Sequence, residues 1–232
     1  NPVLYTGDDG TQAITGVGFQ PDFTWIKCRS HGGNDSFEHI LTDAVRGVNK
    51  TLSSDKSTSE TTNNATGYLS VFGTDGFTVT GGDAPNGVGR TYVAWNWKAN
   101  GSGSSNTNGS INTTKTSANV DAGFSMVTYT GNVTEGATVG HGLSKAPELM
   151  FVKRRNVAGG WMTYSAATGA TKTFTLNTTE AAYTSAGIWN NTAPTADVFS
   201  LGSNGATNAN GGTYLAYCFH SVDGYSKVGS YT

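Results

Sequence analysis

The sequence predicts an all-β protein of two tandem homologous β-sandwich modules, jelly-roll or lectin-like in type. Three observations carry that expectation. The first is an internal repeat: Pro21-Asp22-Phe23-Thr24-Trp25-Ile26-Lys27-Cys28-Arg29 returns without a gap as Pro147-Glu148-Leu149-Met150-Phe151-Val152-Lys153-Arg154-Arg155. Thr91-Tyr92-Val93-Ala94-Trp95-Asn96-Trp97-Lys98 likewise returns as Thr213-Tyr214-Leu215-Ala216-Tyr217-Cys218-Phe219-His220, and Ala44 to Thr51 as Ala166 to Thr173 at the same spacing. A repeat this long exceeds a solenoid unit, so it marks two domains of one kind or two halves of a pseudosymmetric fold. The second is composition. Of 232 residues 32 are glycine and only 13% are charged, about half the usual share, which suits strands joined by tight turns. The third is the alternation of aromatic and apolar residues within the repeated strings, the period of a strand.

The first module spans residues 1–99. Val3-Leu4-Tyr5-Thr6-Gly7 reads as a short strand and Asp8-Asp9-Gly10 as a turn. Ala13, Ile14, Val17 and Phe19 follow, and a hairpin is expected between Tyr5 and Pro21. In the next strand Phe23, Trp25, Lys27 and Arg29 share one side, with Phe23 and Trp25 expected to point inward. His31 to Ser36 is a loop, Phe37 to Thr42 is strand-like, and Arg46-Gly47 is a turn. Thr51 to Thr66, polar with one leucine, reads as a long exposed excursion. Tyr68 to Phe72 and Phe77 to Thr80 flank Gly73-Thr74-Asp75-Gly76 as a hairpin. In the last strand Val93, Trp95 and Trp97 share a face, as do Leu215, Tyr217 and Phe219 in the second module. These faces are expected to form the centre of each core, because aromatic rings bury the largest areas.

Residues 100–110, rich in Gly, Ser and Asn, read as a flexible linker, and 111–232 as the second module. Ser110 to Asn119 is expected to be an edge strand ahead of Gly123 to Thr130. The end of the chain, Gly224 to Thr232, resembles Gly123 to Thr130 with one residue inserted and reads as the start of a further repeat. Such a strand either pairs across a module or subunit boundary or reflects excision from a longer array, as the first residue, Asn1, also suggests.

A net charge of −2 and a pI near 6.1 give no basic field for a phosphate backbone, so no nucleic acid partner is expected. No apolar run approaches the ~20 residues needed to cross a bilayer, so no membrane partner is expected either. Cys28 and Cys218 lie outside the duplicated pattern; the sequence leaves a disulfide between them open, with free, half-buried thiols the expected state. The four histidines, His31, His39, His141 and His220, lack zinc-site spacing, so neither metal nor cofactor is expected.

No serine-nucleophile elbow or phosphate-binding loop occurs. Asp35, Glu38 and Asp43 come nearest to the paired carboxylates of a glycosidase. The second copy has Ser165 in place of Asp43, and the adjacent Arg46 predicts a structural ion pair. The Asp-Gly pairs of Asp8-Asp9-Gly10 and Asp75-Gly76 read as turns and not as calcium loops. No residue is assigned a catalytic role, and the chain reads as non-enzymatic. Carbohydrate binding has better candidates: Trp161, Tyr164, Tyr183 and Trp189, with Trp189 in Gly187-Ile188-Trp189-Asn190-Asn191 expected to expose its ring. Trp161 and Tyr164 also fit core or interface positions.

A set of longer strings points to a family. Ser117-Ala118-Asn119, Ala122 to Asn132, Val139-Gly140-His141-Gly142-Leu143, Pro147-Glu148-Leu149, Tyr217 to Lys227 and Gly18 to Lys27 together resemble a repeat of virion structural and tail-fibre proteins in tailed bacteriophages, particularly marine ones. The resemblance covers nearly the whole chain and brings no catalytic residues with it. It implies a place on the outside of a virus particle, a role as fibre, spike or decoration, and other virion proteins as partners. A homo-oligomer is expected, with a trimer as the working assignment, and a host-surface glycan is the expected ligand. The alternative readings are a capsid-decorating protein, a bacterial cell-surface lectin or adhesin, and a polysaccharide depolymerase.

Overall fold

A computed structural model describes residues 1–30 and 37–231; it is all-β and divides into two compact units, Asn1–Gly101 and Ser102–Thr232. The first unit contains β1 (Pro2–Thr6), β2 (Thr11–Thr15), β3 (Phe23–Cys28), β4 (Ile40–Asp43), β5 (Lys50–Ser53), β6 (Thr61–Thr62), β7 (Tyr68–Gly73), β8 (Gly76–Thr80), the one-turn helix α1 (Asp83–Asn86) and β9 (Thr91–Trp97). One sheet runs β1-β9-β3-β4-β5-β6 and the other β2-β8-β7, with antiparallel neighbours. Their inner faces share one core: Ile14, Leu69, Phe77 and Val79 from the small sheet, Ile26, Cys28, Ile40, Tyr92 and Ala94 from the large one. This is a β-sandwich.

The phase of the strands is opposite to the one expected from ring size. In β9 the core takes Tyr92 and Ala94, while Val93, Trp95 and Trp97 occupy the other face. In β3 it takes Ile26 and Cys28; Phe23 is buried as expected, though on the other face, and Trp25 is only half-buried. The tyrosines explain the choice. Tyr5 and Tyr92 stack at 5.0 Å and 14°, and their hydroxyls donate to the Pro85 and Asp83 carbonyls of α1. The Tyr92 oxygen also accepts the Gly87 N–H at 2.7 Å. Ring burial is thus combined with satisfied polar tips, which an inward Trp95 would not supply from this helix.

Other expectations change in detail. β1 pairs with β9 and β2 with β8, so Asp8-Asp9-Gly10 carries the chain from one sheet to the other and closes no hairpin. The Asp8 carboxylate accepts from the Gly10 N–H and from the Asn86 side-chain amide, which pins that crossing to α1. The β7–β8 hairpin forms, with Thr74-Asp75 at its tip. The Asp75 carboxylate accepts from Gly16 and Gly18 N–H groups, a structural use of its oxygens. The strand expected from Phe37 begins at Ile40, and Thr51 to Ser54 are buried, so the exposed excursion starts only beyond them. The repeated Pro-acid pair acquires a reason: Asp22 accepts the Ala99 N–H at 2.8 Å, and Glu148 the Ser221 N–H at 2.6 Å, fastening the end of each final strand.

The second unit contains β10 (Lys115–Asn119), β11 (Phe124–Thr130), β12 (Ala137–Gly140), β13 (Leu149–Arg154), β14 (Trp161–Ser165), β15 (Lys172–Thr175), β16 (Tyr183–Thr184), α2 (Ala186–Trp189), β17 (Val198–Leu201), α3 (Gly205–Asn208) and β18 (Thr213–Phe219). Its large sheet runs β10-β11-β18-β13-β14-β15-β16 and a β12-β17 pair lies opposite, the order of the first unit with β10 added at the edge. Tyr129 and Tyr214 stack at 5.0 Å and 16°, with hydroxyls on the Thr207 and Gly205 carbonyls of α3. The core again takes the Tyr214, Ala216 and Cys218 face of the final strand; Leu215 and Tyr217, on the other face, are buried as well.

Residues 102–110 are not a free linker. Ser104 and Thr116 exchange backbone bonds of 3.1 and 2.6 Å, and the Ser110 N–H donates to the Thr138 hydroxyl at 2.9 Å. The edge strand begins at Lys115. The closing segment makes an isolated Val222–Ser226 bridge and no strand among the described residues, while β1 lies in its own unit's sheet. Both cysteines are free and buried, and burial pushes the Cys218 thiol up to about 12.

Lys153 is fully buried and donates to the Gly159 carbonyl at 2.7 Å; desolvation lowers its ammonium from 10.5 to about 8. Between those values the unfolded chain binds more protons than the folded one, so stability rises with pH there, and below pH 8 the full penalty is present. The unfolding free energy of the second unit should therefore climb from pH 8 toward 10, by no more than about 3 kcal/mol. Lys153→Met should flatten that climb; an equal climb in the variant would contradict the assignment.

Candidate functional site

The antiparallel register of β3, β4 and β9 places Trp25 opposite both Trp95 and Leu41, and Phe23 opposite Trp97. Because directly opposed residues share a face, three indoles gather on the outward side of the large sheet. Trp25 and Trp95 meet edge to face at 6.5 Å and 81°, and Trp97 stacks on Phe23 at 5.0 Å and 27°. His39, just ahead of β4, stands edge-on to Trp25 at 5.8 Å. Together Trp25, His39, Trp95 and Trp97 line an open cavity of about 360 Å³. Buried Leu41 and Leu52 continue the Trp25 row across the sheet. Trp95 is 38% exposed and its neighbour across the strand, Pro2, is exposed too.

One hydrogen bond orders the cavity wall: the Trp25 Nε1–H donates to His39 Nδ1 at 2.8 Å. The imidazole must be neutral to accept it, with its proton on Nε2. Burial and Lys27 lower the His39 pKa below its ordinary value, and Asp55, which accepts the His39 backbone N–H, acts weakly against them. Among the described residues the cavity thus offers ring faces and one imidazole, with no carboxylate or ammonium in its lining. Ring faces of this kind suit the apolar faces of uncharged ligands.

The residues singled out in the second module lie elsewhere. Trp189 is 1% exposed, packed edge to face on Tyr164 at 6.0 Å in the core. Its segment folds into α2 with Ile188 and Trp189 buried, and left-handed Asn190 and Asn191 then turn the chain. Trp161 is fully buried and stacks on Tyr217 at 6.2 Å, and Tyr164 is a core residue. These three cannot present rings to a ligand. Tyr183 is 40% exposed on the short β16, its hydroxyl 3.8 Å from the Met162 sulfur. The signal missed in the sequence was the contrast between copies: Trp25, Trp95 and Trp97 correspond to Phe151, Tyr217 and Phe219, so the indoles are peculiar to the first module.

Asp43 is buried, its carboxylate 2.6 Å from Arg46 Nε and accepting the Arg46 N–H at 2.9 Å, while Arg46 also meets Glu60 at 3.3 Å. That is the ion pair the sequence predicts, and it occupies the carboxylate. Glu38 lines a separate small cavity with Phe37, Thr66, Asp83 and Ala84. Asp35 and His31 lie outside the described residues. His141 is buried between the Leu143 N–H and the Thr195 carbonyl, and His220 bonds the Ser221 carbonyl. Among the described residues no three metal-ligating side chains gather, and no helix is long and apolar enough to cross a membrane.

A family model described as Domain of unknown function (DUF7483) matches residues 1–232. No curated protein and no solved structure matches the chain.

Proposed function

The chain belongs to that family, and we propose that it is a non-enzymatic structural protein of a bacteriophage virion, an exterior tail-fibre or appendage component whose first unit recognises a host-surface glycan. The virion role rests on the sequence strings that resemble tail-fibre repeats. The recognition role rests on a single observation, the exposed cleft of Trp25, Trp95, Trp97 and His39. Open, mostly apolar concavities with a few placed polar groups are where small ligands bind, and flat indole faces suit the apolar face of a pyranose. Other virion proteins are the structural partners, and a homo-oligomer, taken as a trimer, is the expected assembly.

Trp95→Ala tests the recognition role. Trp95 is partly exposed and lies outside the core cluster, so the variant should keep its circular dichroism spectrum and lose at least tenfold in affinity on an array of bacterial envelope glycans. Unchanged retention would reject the cleft. Antibody labelling of intact particles in the electron microscope tests the location: label on tail fibres or tail tip is expected, label over the head would favour capsid decoration, and label on cells alone would favour an adhesin.

A further inference from the structure

The bond between Trp25 and His39 makes the shape of the cleft conditional on a proton. An indole N–H can only donate, so His39 Nδ1 must keep its lone pair for the 2.8 Å contact to exist. Protonation would set two N–H groups against each other and break the bond that holds Trp25 in place. Relief comes from turning one ring. Trp25 is the ring that touches both His39 and Trp95, so its rotation removes the edge-to-face arrangement that forms the cleft.

We propose that His39 is a proton-controlled positioning residue: neutral, it holds Trp25 in the orientation that stacks an uncharged pyranose, and protonated, it releases Trp25 and the sugar. The ligand half of this rests on the glycan reading of the cleft; the switch itself does not.

The surroundings set its direction. Lys27, on β3, donates its ammonium to the Phe37 carbonyl and opposes a second positive charge nearby. Asp55, following β5, accepts the His39 backbone N–H and favours protonation. Glu38 is the adjacent residue in the chain. Burial and Lys27 prevail, so His39 titrates on the acid side of its ordinary range. The cleft is therefore formed at neutral pH and opens as the medium becomes acid. A neutral-sugar preference follows from the lining, which among the described residues carries no charged partner for a uronate or an amino sugar.

The test follows the Trp25 indole ¹H–¹⁵N resonance from pH 8 down to 4.5 in the intact chain, beside His39→Asn, whose amide oxygen offers an acceptor that does not titrate. The expected result is one titration step at Trp25 in the wild type and none in His39→Asn. Cellohexaose, chitohexaose and maltohexaose serve as ligand probes. A probe that binds at pH 7 should lose at least tenfold in affinity at pH 4.5 with the wild type and less than twofold with His39→Asn. A Trp25 resonance that stays fixed through the His39 titration, or moves equally in His39→Asn, would overturn the switch. A titrating Trp25 with no sugar bound at any pH would support the switch and overturn the glycan reading.

Discussion

Trp189→Ala is expected to destabilise the second unit by about 3–5 kcal/mol, the usual cost of emptying a buried tryptophan site, and to leave glycan retention by the folded protein unchanged. The indole is 1% exposed within the core cluster and meets Tyr164 edge to face. Its Nε1 has no hydrogen-bond partner among the described residues, so what it contributes is packed volume. A void of that size relaxes only in part, because α2 is held at its end by the bond from the Asn190 N–H to the Ala186 carbonyl. Urea denaturation followed by circular dichroism measures the loss. A change below about 1 kcal/mol, the level of a surface substitution, would contradict the buried assignment, and reduced sugar retention by a stable variant would restore Trp189 as a ligand contact.

Arg46→Ala is expected to cost the first unit a similar amount, about 3–5 kcal/mol, because it strands a buried carboxylate. Both Asp43 oxygens bond to Arg46, through its backbone N–H and its Nε, and the guanidinium also donates to the Leu41 carbonyl. Removing the arginine leaves that charge inside the sheet with its main counter-ion gone. Replacing both members of the pair by apolar residues should recover much of the loss, since the desolvation of the carboxylate then disappears along with its partner. Denaturant midpoints of the single and double variants decide the matter. A single variant as stable as the parent would mean that Asp43 is neutralised by something else.

The sequence hid the surroundings of Trp189 but not those of Asp43. The Asp43–Arg46 pair was legible because the two partners sit three positions apart around a turn. The all-β class, the β7–β8 hairpin and the final aromatic strands were legible from alternation and turn residues. The facing of β3 and β9 was not. Alternation shows that two sets of side chains point opposite ways, and in Tyr92-Val93-Ala94-Trp95-Asn96-Trp97 both sets contain large rings. The decision lay in the hydroxyls of Tyr5 and Tyr92, which find carbonyls on a helix of one turn that no periodicity could announce. The same limit hid α2, whose four residues carried Trp189 inward.

The candidate site was hidden for a related reason. Its three indoles come from strands separated by more than sixty positions in the sequence, and only the pairing of β3 with β9 makes Trp25 and Trp95 neighbours. His39 meets the indole of Trp25 through its ring nitrogen only because β4 lies beside β3. Strand order, which is a long-range property, therefore carries more of the functional reading than any local motif.

The most direct measurement is a titration of the ¹⁵N-labelled chain with host envelope glycan, read on the indole resonances of its five tryptophans. Recognition at the cleft predicts that Trp25, Trp95 and Trp97 shift together and saturate at one affinity, while buried Trp161 and Trp189 stay in place. Shifts confined to Trp161 and Trp189, or none at any concentration of glycan, would contradict it.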